Sequence, residues 1–106
     1  MQGPETRLRK RIVKVLLREY PQAYVRKVHG NAYQNIGIAD LLCCFEGHFI
    51  ALEVKRPKKL ATPAQLLEGR KVEKAGGTFA IVTSPEEAIL AVKRGLKNND
   101  SCPHPF

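Results

Sequence analysis

Apolar positions recur along this chain in two rhythms. From Pro4 to about Glu19 they fall at Leu8, Ile12, Val15 and Leu16, the spacing of a helix with one buried face, and Pro4 suits its first turn. Arg7, Lys10, Arg11, Lys14 and Arg18 occupy the opposite face. Glu5, at about 100° per residue, falls on the side of Leu8 and Ile12, although a first-turn acid also complements the helix dipole. Pro21 ends the helix. The alternation then shortens to two residues over 23–29 (AYVRKVH), a strand, followed by a polar loop to Gly37 that contains Tyr33, Gln34 and Asn35.

Residues 37–55, GIADLLCCFEGHFIALEVK, read as two apolar strands joined by a tight turn. Three charged residues, Asp40, Glu53 and Lys55, interrupt them. A turn centred on Glu46-Gly47 places residues whose numbers sum to 93 opposite each other, so Asp40 faces Glu53. Directly opposed residues have Cβ atoms about 4.5–5.5 Å apart, and like charges there repel. Alternation puts Lys55 on the face of Glu53 and sends Ile50, Leu52 and Val54 to the other. Buried carboxylates are expensive unless paired, hydrogen-bonded or bound to a metal, so these three residues are the candidate site.

Pro57 ends the second strand in a basic loop, Lys55-Arg56-Pro57-Lys58-Lys59. Thr62-Pro63-Ala64-Gln65 reads as a capped helix start, and the helix stops at Gly76-Gly77. A short strand follows over 78–83. Ser84-Pro85-Glu86-Glu87 repeats the capping pattern before a last helix carrying Ala88, Ile89, Val92 and Leu96. The expected organisation is one domain over residues 1–97 with an irregular tail over 98–106. Strand, helix, strand within 48–83 implies a parallel crossover, so the fold class is α/β: a mixed sheet, antiparallel hairpin plus parallel strand, flanked by helices.

A length of 106 residues fits one core. With 18 Lys and Arg against 10 acids, a formal charge of +8 and a pI near 9.7, the chain favours a polyanionic partner, and nucleic acid above membrane. Cys43, Cys44 and Cys102 are an odd number without a CxxC pair and read as small hydrophobes of a reducing compartment, a cytoplasm (the host's, were the protein viral). No apolar run is long enough to span a bilayer. His29, His48 and His104 have no metal-ligand spacing.

Asp40, then twelve residues, then Glu53-x-Lys55 follows the pattern of the PD-(D/E)XK nucleases, whose restriction-endonuclease-like core the chain resembles over nearly its whole length. More narrowly, Gly37-Ile38-Ala39-Asp40-Leu41, Ala51-Leu52-Glu53-Val54-Lys55, Thr62-Pro63-Ala64-Gln65 and Gly76-Gly77 resemble the VRR-NUC family, with Ala39 where the superfamily name expects proline. The donor chemistry of Asp40 and Glu53 suits Mg²⁺ or Mn²⁺. The resemblance implies the Val54 carbonyl as a further ligand, Lys55 as the residue acting on the attacking water, and Gln65 as an accessory residue. Glu5 is expected in the outer part of the site, through water or as ligand to a second ion. Phosphate or base contacts are expected from Arg7, Lys10, Arg11, Lys14, Tyr33, Gln34, Lys58 and Lys59.

The resulting expectation is a metal-dependent DNA endonuclease with no small-molecule cofactor. Its substrate, structured or branched DNA such as a Holliday junction or flap, is implied by the resemblance to stand-alone, resolvase-like VRR-NUC domains. A symmetric junction needs two cuts, which favours a homodimer. The rival is a nucleic-acid-binding module with a vestigial nuclease site. A sequence-specific, restriction-type nuclease has scant chain outside the core for base readout.

Overall fold

The computed structural model describes residues 3–28 and 37–101, with the side chains of 99–101 excepted. In chain order the elements are α1 (Pro4–Glu19), β1 (Tyr24–Lys27), β2 (Leu41–Phe45), β3 (His48–Val54), α2 (Pro63–Lys74), β4 (Thr78–Val82) and α3 (Pro85–Ser101). The four strands form one sheet in the order β1-β2-β3-β4, antiparallel except for the parallel β3–β4 pair. This is the mixed sheet expected from the pattern.

The hairpin keeps the expected register. Its ladder runs from Phe45 opposite His48 to Leu41 opposite Leu52, and Glu46 and Gly47 both have positive φ, 50° and 81°, as a type I′ turn requires. The ladder ends one position before Asp40 and Glu53, at the end away from the turn.

The sheet separates two helical layers. Leu8, Ile12 and Leu16 of α1 pack with Ala88 and Val92 of α3 over Leu41, Cys43, Ile50, Leu52 and Val54. On the other face, Gly69 and Val72 of α2 lie over Leu42, Ala51 and Phe79. Gly69 is needed there, because a Cβ would run into the Phe79 ring. Strand alternation therefore assigns Glu53 to the α2 layer, while the hydrophobic core fills the layer of α1 and α3.

Two expectations are corrected. Residues 98–101 of the expected tail continue α3 as helix, since no proline or glycine intervenes before Pro103; residues 102–106 lie outside the described residues. At the start of α3, Ser84 Oγ accepts from Glu87 N as a cap should, but the Glu87 carboxylate binds Thr83 N and Oγ1 in place of the cap residue's own N–H. His48 is buried, its Nε2 2.8 Å from Thr78 Oγ1, which accounts for it as a structural residue. Cys43 is a buried free thiol, pushed up to about 12 by burial, and Cys44 points to the opposite face. No helix among the described residues is long and apolar enough to cross a membrane.

Candidate active site

The site forms where β2 begins, β3 ends and α2 starts. Gly37 makes this junction possible. At φ 83° it adopts a backbone that side chains disfavour, and a Cβ would sit 2.6 Å from the Ala64 carbonyl oxygen. Glycine thus lets the segment leading to Asp40 lie directly against the first turn of α2.

Asp40 does not enter the ladder. Its Oδ2 accepts from Val54 N at 3.0 Å, and its carbonyl accepts from Val28 N at 2.8 Å. Glu53 is 2% exposed. Its Oε2 receives Lys55 Nζ at 3.2 Å and Gln65 Nε2 at 2.8 Å, while Oε1 is buried and has no hydrogen-bond partner among the described residues. Burial, foremost, and the neighbouring Asp40 carboxylate push the Glu53 carboxyl up to about 7 against the opposing pull of Lys55 and of the nearby Asp40 backbone N–H.

Gln65 serves two purposes at once. Its Oε1 accepts from Thr62 N at 2.8 Å and its backbone N–H donates to Thr62 Oγ1 at 3.1 Å, a reciprocal capping box. The same side chain's Nε2 holds Glu53. The helix start and the buried carboxylate are therefore joined through one amide, whose orientation is defined by having an acceptor role at one end and a donor role at the other.

Asp40, Glu53, Lys55 and Gln65 are thus brought together. Val54 lies beside them through its N–H bond to Asp40, with its side chain in the core. Among the described residues no three His, Cys, Asp or Glu side chains form a metal-binding group, so Glu5 is not a direct third ligand beside Asp40 and Glu53. The cause is the layering, since α1 packs across the sheet from Glu53. For the same reason Arg11 and Lys14 line a groove of about 680 Å³ between α1 and α3, with Arg18, Ile89 and Leu90, rather than the approach to the carboxylates. Arg7 and Lys10 are exposed on the same helix. Lys58 and Lys59 are exposed in the loop between Lys55 and α2. Tyr33 and Gln34 lie outside the described residues.

The donor chemistry fits a hard divalent cation: two carboxylates at one point, a single lysine to offset them, and one buried oxygen without a partner among the described residues. One contributor escaped the sequence reading. Gly37 was visible only as part of a motif, and its close approach to Ala64 depends on packing.

A four-stranded mixed sheet with helices on both faces thus carries a carboxylate pair at the open end of its hairpin. Among solved structures, the chain is similar to one described as a VRR_NUC domain, at 24% identity and a TM-score of 0.61, covering 79% of this chain and 92% of that one. The likeness is one of fold. No protein-family model matches the sequence, and no curated protein matches it.

Proposed function

We propose that this protein is an Mg²⁺- or Mn²⁺-dependent endonuclease that hydrolyses phosphodiester bonds in structured or branched DNA, working as a homodimer on symmetric junctions. The observation that carries this reading is the buried Glu53 carboxylate, one oxygen held by Lys55 and Gln65 and the other without a partner among the described residues, next to a second carboxylate. An ion pair kept for stability alone needs one acid; the second only adds repulsion. The VRR_NUC-like fold supports a nuclease in particular.

Asp40 and Glu53 would hold the cation, with the Val54 carbonyl beside them. When bound, such an ion supplies Lewis acidity to the phosphate and a more acidic water. Lys55 keeps its ammonium at the carboxylate pair, where it orients the attacking water and stabilises the charge that builds on the phosphate oxygens. Gln65 keeps Glu53 from rotating away. Water's oxygen forms the new bond to phosphorus and gives up a proton to solvent, the P–O ester bond breaks, and the leaving oxygen takes up a proton. Lys58 and Lys59 would hold flanking phosphates.

One observation favours the alternative, a binding module with a vestigial site: no third metal-ligating side chain joins Asp40 and Glu53 among the described residues. The same experiment separates the two. Four-way junction, flap and linear duplex DNA are incubated with the protein in Mg²⁺, in Mn²⁺ and in chelator. Metal-dependent cutting of the branched substrates is expected. Cutting in chelator, or of nothing, rejects the enzyme; cutting of linear duplex alone rejects the branch preference. Asp40→Asn and Lys55→Ala should abolish cleavage while leaving folding and DNA binding in place. Asn is the better replacement at position 40 because it retains an oxygen acceptor for Val54 N.

A further inference from the structure

Resting on the nuclease reading, we propose that Leu60 is a wedge that enters the base stack beside the cleavage site, so that the preferred DNA has a weakly stacked or open step within about five nucleotides of the cut. Leu60 is the most exposed large hydrophobic residue among the described residues, at 87%. A lone exposed leucine is ordinary on a protein surface. The setting of Leu60 is not.

The loop that carries it is anchored at both ends on the same carboxylate. Lys55 and Gln65 each contact Glu53 Oε2, at 3.2 and 2.8 Å, and Leu60 lies midway between them in sequence. Five residues on either side span at most about 17 Å, which is about five nucleotides at the roughly 3.4 Å spacing along one strand.

The loop is also bent in a definite way. Lys59 N bonds to Arg56 O at 3.1 Å, closing a turn with Pro57 second and Lys58 third, and Lys58 has φ 72°. That is the position and sign of φ at which a type II turn normally uses glycine or asparagine. A lysine held there keeps a cation where a glycine would be easier, and strained backbone of this kind concentrates at functional sites. The turn presents exposed Arg56, Lys58 and Lys59 immediately before Leu60. Cations next to a protruding apolar side chain match a nucleic acid in which phosphates flank stacked bases, and apolar wedges between base steps unstack and kink a duplex. Insertion is easiest where pairing or stacking is already disturbed, at a mismatch, gap or branch. Leu60 thereby gives the site a way to prefer distorted DNA without reading its sequence.

The test places 2-aminopurine at successive steps within five nucleotides of the mapped cut in a four-way junction, and follows its fluorescence on binding in chelator and the cleavage rate in Mn²⁺. Wild-type protein should brighten one step. Leu60→Ala should not brighten it and should cut the junction about fiftyfold more slowly, the scale of withdrawing three buried carbons from an apolar contact. A mismatch at that step should restore the variant's rate, and Leu60→Phe should keep both signals. Tyr24→Ala, at a tyrosine 59% exposed and paired with Cys44 near the hairpin turn, should match wild type. Wild-type fluorescence and cleavage from Leu60→Ala overturns the wedge and leaves the nuclease reading intact. No cutting by the wild-type protein in any metal overturns both.

Discussion

With its carboxyl raised to about 7, Glu53 keeps a proton in the folded protein at pH values where an ordinary glutamate, titrating near 4.5, has released it. Between those values the folded state binds more protons than the unfolded chain, so stability falls as pH rises, and the loss is complete above the folded value. At about 1.4 kcal/mol per unit, the difference amounts to about 3 kcal/mol. Urea denaturation in chelator should therefore show wild type losing about that much relative to Glu53→Gln between pH 4.5 and 8. Parallel pH curves for the two proteins would mean that burial leaves the Glu53 carboxyl titrating as it does in the unfolded chain. Gln65 allows a second separation. Thr62→Ala and Gln65→Ala each remove half of the capping box and should each lower stability by about 1 kcal/mol. Only Gln65→Ala also strips a hydrogen bond from Glu53, so it alone should slow cleavage, by about 10- to 100-fold. Equal slowing by Thr62→Ala would mean that rigidity of the helix start, not the amide, is what matters.

At the scale of elements, Gly37 is the position where substitution should do most damage for its size. Gly37→Ala combines an unfavourable φ with a clash against the Ala64 backbone, which cannot move without shifting α2, and should destabilise by about 2 kcal/mol or more in urea denaturation. Cleavage should fall with it, because Asp40 follows three residues later. The hairpin itself was legible in the sequence, since the Glu46-Gly47 turn and a side-chain period of two leave little freedom in pairing residues 41–45 with 48–52. The start of α2 was legible too, through Thr62, Pro63 and Gln65, and that Gln65 reaches Glu53 agrees with its being both cap and site residue. The placement of α1 was not. Helical periodicity tells which side of α1 is apolar, but both faces of this sheet carry apolar residues, and only packing of the whole chain decides which face the helix covers. Arg11 and Lys14 do lie on the polar side of α1, and what they line is the groove between α1 and α3.

Over the whole molecule, the excess charge of +8 is shared between two layers rather than gathered at the site. Each phosphate contact adds roughly −0.9 to the slope of log affinity against log salt. Replacing Lys58 and Lys59 together by Ala should lower that slope by about 2 and slow cleavage at saturating DNA. Replacing Arg11 and Lys14 should weaken binding without changing the saturated rate, since their groove lies between α1 and α3, across the sheet from Glu53. A slower saturated rate from the second pair would place that groove on the path of the cut strand. The layering that removes α1 from the carboxylates has a geometrical outcome of its own. On the branched-DNA reading proposed above, a protein with cations on both sides of its central sheet would stand between two duplexes rather than encircle one. On that reading the molecule would act as a spacer, and the angle between the arms that it accepts would be set by the thickness of three packed layers.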